Sequence, residues 1–267
     1  MRRIYSGALI FLLLFVLNGC EYLSSDPVYK TLPIEGNLLF NFSESYENYN
    51  KPGIPVIYFN LKTEKEYGCV NYNISTEIRL SGNNLDVYIK GIQEPNICLT
   101  AIGPATSSSS LDIPAGNYKL ILHDENFSDT YDFSVSDKSI TIDQSNYTET
   151  KPMYRVNWRY PKNSFVYLCG SLTEDSSICN DFLDTLKSRI SLQEFSFPDS
   201  GKIPYPTASQ GHYYDMPARY FYYKDETDFN KIGEILKNYK DNYLQNKSGY
   251  GIQIINWFNK KFYSWLL

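Results

Sequence analysis

Apolar and polar positions alternate with a period of two along residues 36–148. This alternation predicts strands with one buried face and one solvent-facing face. Gly82 and Asn83 accept positive φ, so the run 81–84 (SGNN) predicts the turn of a hairpin. The serine run 107–110 lacks the alternation and is predicted to be a loop. Strands are predicted at 38–42, 55–61, 74–80, 85–89, 111–113, 118–122, 131–135 and 140–142. Short strands at regular spacing favour an all-β sandwich over residues 31–150.

The periodicity changes after a junction predicted at residues 149–153. Apolar residues recur every three or four positions over 178–190 and over 229–243, which predicts two amphipathic helices. Ser176 or Ser177 is expected to cap the first helix, and Thr227 the second. Strands are predicted at 154–160, 164–168, 192–197, 219–223, 251–257 and 261–267. From residue 164 the order is β-α-β-β-α-β, which predicts an α+β, ferredoxin-like domain over residues 151–267.

A short motif in the first region supports the sandwich. Gly116-Asn117-Tyr118 resembles the start of the penultimate strand of immunoglobulin-like domains, where a tyrosine hydroxyl binds the preceding backbone. The resemblance implies an immunoglobulin-like sandwich, with the Tyr118 hydroxyl hydrogen-bonded to the turn before it.

The first twenty residues have the layout of an export signal. Arg2 and Arg3 precede an apolar run, 8–17, that is too short to span a bilayer. The ending Leu17-Asn18-Gly19-Cys20 resembles the lipobox of bacterial lipoproteins. The resemblance implies acylation of Cys20, a signal peptide over 1–19 and a lipidated N-terminus and tether over 20–30. An ordinary signal peptide with a chance cysteine is the alternative.

The protein is therefore expected in the bacterial cell envelope, where the N-terminal lipid anchors it to the membrane. Glu21 follows Cys20, so the aspartate that acts as an inner-membrane retention signal in some bacteria is absent, which favours the outer membrane. The net charge of −5 gives no reason to expect affinity for nucleic acid.

The remaining cysteines are even in number, as expected for disulfides in an exported chain. We favour the pairs Cys69–Cys98 and Cys169–Cys179, because each pair falls within one predicted region. A metal site is the alternative, but the wide spacings and the scarcity of histidine argue against zinc. A redox role for Cys179, which lies in the first turn of a predicted helix, also stays open.

No sequence motif for catalysis or for a cofactor is present. We therefore expect no catalytic residue, no cofactor and no bound metal. Residues 124–126 with Asp129 are a loose set of potential calcium ligands. Such polar residues are also typical of a hairpin turn.

Tyrosine offers the better functional signal, because the chain contains 25 of them. The segment 198–217 is long for a connection between strands, and long loops in compact domains are often functional. Tyrosine suits stacking on sugar rings and protein interfaces. The candidate binding residues are Tyr205, His212, Tyr213, Tyr214, Asp215, Tyr220 and Tyr222. The alternative is that these tyrosines pack in the core or decorate the surface.

The order of elements over residues 164–258 and the aromatic strand that ends at Gly170-Ser171 are similar to the SPOR domain. That family binds peptidoglycan glycan strands, so the resemblance implies peptidoglycan as a ligand. The sequence thus favours a non-catalytic envelope lipoprotein that binds or scaffolds an envelope polysaccharide or a partner protein. An envelope glycan or peptide hydrolase that uses the 198–217 loop, and a structural subunit of an envelope assembly, are the alternatives.

Overall fold

Two β-sheets carry most of the chain in the computed structural model, which describes residues 31–146, 148–208, 214–245 and 247–267. The lipobox, Cys20 and the predicted tether lie outside the described residues. The first sheet contains β1 (Thr31–Leu32), β2 (Leu38–Ser45), β3 (Val56–Tyr67), β4 (Asn73–Ser81), β5 (Asn84–Gln93), β6 (Gly103–Leu111), β7 (Gly116–His123), β8 (Ser128–Val135), β9 (Ser139–Asn146), β10 (Thr150–Pro152) and β11 (Val156–Trp158).

The first sheet curls until its two ends meet. Its order is β10-β2-β3-β6-β4-β5-β7-β8-β9-β11, and β1 pairs with β5. Ten strands laid flat would span about 40 Å, yet residues 153–155 alone connect β10 to β11 at the opposite end. The sheet therefore encloses one core, in which the rings of Phe40 and Tyr131 lie 4.8 Å apart. The boundary predicted at residue 150 falls within β10.

Two local predictions for this sheet, the hairpin and the tyrosine motif, are confirmed, and one, the serine loop, is not. Strands β4 and β5 form the predicted hairpin, with Ser81 paired to Asn84. The Tyr118 hydroxyl donates to the Pro114 carbonyl at 2.9 Å, as the tyrosine motif predicts. The loop prediction for the serine run is wrong, because those residues belong to β6 and pair with β3.

The carboxylate of Asp129 ties β8 to the segment that leads into β10. It accepts five hydrogen bonds, from the backbone N–H groups of Thr148, Glu149 and Thr150 and from both threonine hydroxyls, at 2.7–3.0 Å. The Tyr131 hydroxyl donates to the Thr150 carbonyl at 2.7 Å, two positions along the same strand. Since β10 closes the curled sheet, Asp129 helps to hold it closed.

The second sheet is antiparallel and carries two helices. Its strands are β12 (Ser164–Ser171), β13 (Gln193–Phe195), β14 (Tyr214–Asp215), β15 (Arg219–Tyr222), β16 (Tyr250–Asn256) and β17 (Lys261–Tyr263). Their order is β13-β15-β12-β16-β17, and β14 pairs with β12. Helix α1 is Ser177–Arg189, and helix α2 is Glu226–Tyr239, which continues as a π-helical turn over Lys240–Leu244. The described part of the chain is thus rich in β-structure, and the helices described in it follow β12 and β15.

Different segments cover the two faces of this sheet. On one face Phe165, Tyr167 and Cys169 pack against both helices. On the other face Val166 and Leu168 form a smaller core with residues of the segment 195–205. Every residue of β12 is consequently buried, which explains its nearly continuous apolar sequence.

The N-terminal cap of α2 differs from the sequence prediction. The cap is Asp225, whose carboxylate accepts from the Asp228 N–H at 3.1 Å, so the assignment of Thr227 as cap is wrong. An aspartate at this position also places negative charge at the positive end of the helix dipole.

The two disulfides join the pairs that the sequence favours. Cys69–Cys98 links the segments on either side of the β4–β5 hairpin. Cys169–Cys179 links β12 to the first turn of α1, and both of its cysteines are buried.

Candidate binding cleft

A cleft of about 650 Å³ lies between the first and second sheets. This volume is within the range of small-molecule and oligomer binding sites. Its lining comes from the end of β2, the segment before β3, the β8–β9 turn, β11 and β13 with the segments after them, β15, and the residue after β16. Six half-buried aromatic residues line it: Trp158, Tyr160, Phe195, Phe197, Tyr222 and Trp257.

Ring contacts fix the aromatic wall on the second sheet. Phe195 and Tyr222 stack with ring centroids 4.4 Å apart, because β13 and β15 are neighbouring strands. Phe197 contacts Tyr220 edge to face at 5.0 Å. Half-buried rings that are braced in this way present apolar faces to the cleft at little cost in side-chain entropy.

The first part of the predicted functional loop is tied to β11. Trp158 donates from its indole N–H to the Ser200 carbonyl at 2.9 Å, and its backbone N–H donates to the Lys202 carbonyl at 2.8 Å. Gly201 lies between them at φ +103°, and a Cβ there would lie 2.6 Å from the Val156 carbonyl oxygen. Only glycine permits this close approach, so the loop is held as a wall of the cleft.

The floor contains a buried ion pair that bridges β2 and the segment after β11. The Glu44 carboxylate accepts from Arg159 Nε at 2.7 Å and from the Tyr160 N–H at 2.7 Å. Arg159 also donates to the Ser136 carbonyl at 2.6 Å. Burial raises the pKa of Glu44, and the Arg159 charge and the two hydrogen bonds offset only part of this effect.

Three tyrosine hydroxyls, of Tyr160 in the cleft lining and of Tyr46 and Tyr205 outside it, each donate to a backbone carbonyl. Tyr46 donates to the Trp257 carbonyl at 2.9 Å, and Tyr160 donates to the Pro204 carbonyl at 2.8 Å. Tyr205 donates to the Ser164 carbonyl at 2.9 Å. Burial raises the pKa of Tyr46 well above its usual range and that of Tyr160 to about 12, so these hydroxyls stay protonated.

A second contact region joins the two sheets beside the cleft. The Asn259 side-chain amide donates to the carbonyls of Tyr49 and Lys51 at 2.9 and 2.7 Å. Gly53 donates from its backbone to the Phe258 carbonyl at 2.9 Å. These bonds join the segment after β2 to the connection between β16 and β17.

The structure distributes the predicted site residues over three environments. Tyr222 lines the cleft. Tyr205 and Tyr220 are buried behind it and pack in the smaller core. Tyr214 and Asp215 are exposed on β14 and do not belong to the cleft lining. His212 and Tyr213 lie outside the described residues.

Most of the aromatic lining was missed by sequence reasoning, which searched only for tyrosines. Trp158, Phe195, Phe197 and Trp257 fall in predicted strands, and their positions gave no reason to place them on one surface. The sequence signal nearest to this surface is the pair Phe195 and Phe197, two positions apart and therefore on one face of a strand, beside the long loop.

One titratable cluster lies on the first sheet, away from the cleft lining. His123 Nε2 lies 2.8 Å from Asp86 Oδ1, and His123 Nδ1 lies 3.5 Å from the Ser128 hydroxyl. The Ser128 contact is longer than the distance of about 2.6–3.2 Å that is typical of a serine nucleophile and its base. The Tyr88 ring stacks on His123 at 4.7 Å, which fits a packed surface histidine.

Within the described ranges, no cluster of three or more His, Cys, Asp or Glu side chains is placed to hold a metal ion. No helix in the described part of the chain has the length and apolar character to cross a bilayer. Comparison with known proteins finds no match to a family model, to a curated protein or to a solved structure.

Proposed function

We propose that this protein is a lipid-anchored lipoprotein of the cell envelope that binds an envelope polysaccharide in the aromatic cleft without catalysis. The observation that carries the proposal is the set of six half-buried aromatic residues in one cleft between the sheets. The lipid anchor at Cys20 and an outer-membrane location are part of the proposal and rest on the lipobox resemblance.

The shape of the site favours a polysaccharide over a protein partner. A pyranose ring has an apolar face that stacks on an aromatic ring, and its hydroxyls bond to polar groups at the edge. A concave cleft of about 650 Å³ accommodates a short stretch of linear polymer. Protein–protein interfaces, in contrast, commonly bury about 800 Å² of surface on each partner and have a continuous apolar centre.

Charges at the rim narrow the ligand class. Lys138 and Lys162 are exposed at the cleft, and Asp137 is the exposed acidic residue in its lining. Arg159 is paired with Glu44 in the floor. A polysaccharide that carries carboxylates, as peptidoglycan does, suits this rim.

The finer fold assignment is also a proposal. The antiparallel order β13-β15-β12-β16, with a helix after β12 and another after β15, supports a ferredoxin-like arrangement for the second half. The Tyr118 hydrogen bond supports an immunoglobulin-like origin for the first.

The test is sedimentation of residues 21–267 with peptidoglycan sacculi, before and after muramidase digestion. We expect binding that digestion abolishes. Tyr222→Ala should weaken the binding about tenfold, because it removes one stacking face, worth about 1.4 kcal/mol. Tyr214→Ala is the matched control, since Tyr214 is an exposed tyrosine of the same sheet outside the cleft lining.

Equal losses from the two tyrosine variants, or no binding by the parent chain, would contradict the polysaccharide proposal. Thermal unfolding of each variant shows that a loss does not come from misfolding. Release of soluble fragments or new reducing ends from the sacculi would instead support the hydrolase alternative.

A further inference from the structure

Four aliphatic side chains are exposed together at one end of the first sheet. Their exposed fractions are 42% for Val70, 77% for Ile97, 56% for Leu99 and 75% for Ile102. We call these four residues the apolar tip. Single exposed aliphatic residues are ordinary, but four on two adjoining segments indicate a surface that something covers.

The apolar tip is built on a braced pair of segments. The Cys69–Cys98 disulfide joins the segment before β4 to the segment after β5. The Val70 N–H donates to the Leu99 carbonyl at 3.2 Å, and the Asn71 side-chain amide donates to the Ile97 carbonyl at 2.7 Å. The exposed side chains are thus held side by side by covalent and hydrogen bonds.

The sequence around the apolar tip carries no charge. Residues 67–73 and 95–103 contain no Asp, Glu, Lys or Arg, and Glu66 and Glu94 stand just outside these two segments. Tyr67 and Tyr72 stack at 4.8 Å and pack against the edge of the core. An uncharged aliphatic end backed by tyrosines is the composition that the interface of a bilayer favours.

The described part of the chain begins at the end of the sheet that carries the apolar tip. Strand β1 is antiparallel to β5 and pairs Thr31 with Gln93, the last residue before the segment that carries Ile97 and Leu99. Thr31, the first described residue, therefore lies at the same end of the sheet as the apolar tip. Cys20 precedes Thr31 by eleven residues, a span of at most about 40 Å.

We propose that the apolar tip inserts into the lipid leaflet that holds the acyl chains of Cys20. The inference rests on the lipid anchor of the proposed function. Membrane binding by a lipid group is strengthened by a second, protein-borne contact, and the apolar tip supplies an uncharged one. Insertion of the tip turns this end of the first sheet toward the membrane.

The experiment uses the mature, acylated chain in phosphatidylethanolamine and phosphatidylglycerol vesicles, with and without brominated acyl chains. Ile97→Trp places a fluorophore on the apolar tip, and bromine quenches tryptophan only within the bilayer. Leu80→Trp is the matched control, because Leu80 is 44% exposed at the other end of β4, roughly 20–25 Å away. Native Trp158, Trp257 and Trp265 are subtracted with the parent chain.

We expect brominated lipid to quench at least half of the emission added by Ile97→Trp and less than a tenth of that added by Leu80→Trp. Equal quenching at both positions, or none at either, would overturn the insertion. Protection of the introduced tryptophan from acrylamide without quenching by bromine would also overturn it, and would identify a protein or a second copy as the occupant.

Mass spectrometry of the mature N-terminal peptide tests the lipid anchor separately from the insertion of the apolar tip. A chain without acyl groups on Cys20 would remove the anchor and the insertion together. An acylated chain whose introduced tryptophan stays in water would remove the insertion alone.

Discussion

Two buried carboxylates hold the molecule together, and their surroundings differ. Asp129, 1% exposed, lies within the first sheet, and the Glu44 side chain, 2% exposed, lies near the end of β2 in the cleft lining. Burial tends to raise the pKa of both. For Asp129 the hydrogen bonds from Thr148, Glu149 and Thr150 outweigh burial, and its pKa is lowered. For Glu44 burial prevails, and its pKa is raised.

The number and origin of the donors explain this difference. Asp129 accepts five hydrogen bonds, all from the short segment 148–150, which Leu38 of β2 holds by donating to the Glu149 carbonyl and by pairing with Thr150. Glu44 accepts one bond from Arg159 and one from the Tyr160 backbone, both in the segment that leads from β11 to β12. A buried charge is thus well solvated where five donors surround it and poorly solvated where only two donors reach it.

The largest effect is expected from Asp129→Asn. Asparagine directs an NH₂ group at donors that need an acceptor, so we expect a loss of about 3 kcal/mol in the free energy of unfolding. Urea unfolding measures it. Asp132→Asn is the control, because Asp132 is exposed on the same strand, and it should change stability by less than about 0.5 kcal/mol. Similar losses in both variants would refute the role given to Asp129.

A smaller loss is expected from Arg159→Met. It leaves the buried Glu44 with one backbone donor and should cost about 2 kcal/mol near pH 7. The loss should shrink at about pH 4, below the usual pKa of a glutamate, because the raised pKa of Glu44 means that protonation there removes the uncompensated charge. Urea unfolding of Arg159→Met and of Glu44→Gln/Arg159→Met at both pH values checks this. An equal loss at both pH values in the single variant would show that Arg159 acts through packing alone.

The smallest effect, and the sharpest test of the comparison, is the sign of the pH dependence. A lowered pKa gives stability that is present above the unfolded value, about 3.9, and is lost as the pH falls through the folded pKa. A raised pKa gives stability that is present below the unfolded value, about 4.3, and is lost as the pH rises through the folded pKa.

Relative to Asp129→Asn, the parent chain should therefore lose stability on acidification. Relative to Glu44→Gln, it should lose stability as the pH rises above about 4. Chemical unfolding of the three chains over pH 3–7 measures both differences. Differences of the same sign would contradict the contrast between the two carboxylates.

Some features of this chain could be predicted because their causes are local. The SGNN turn and the alternation on either side of it predicted the β4–β5 hairpin, and the apolar spacing around Phe182 and Phe229 predicted both helices. The cysteine pairs also followed from their separation into two regions.

Other features could not be predicted, because a distant segment supplies their cause. The serines of β6 form a strand since backbone pairing with β3, along with a hydrogen bond from Ser108 to Asn60, replaces apolar burial. The cleft has the same kind of cause, since Trp158, Phe195 and Tyr222 share a surface only after the second sheet folds. Burial separates the candidate binding tyrosines. Tyr222 lines the cleft, whereas Tyr205 and Tyr220 pack in the core behind it.

The sequence by itself determined the repeating elements and the covalent cross-links, because hydrophobic period, turn residues and cysteine number act over a few neighbouring positions. Only the tertiary structure decided which polar groups would be buried and which aromatic rings would share a cleft. Glu44 and Arg159 are separated by 115 residues, and Asn259 reaches back across 210 residues to Tyr49. The physical reason is that desolvation and electrostatics depend on distance in space, which local patterns do not encode.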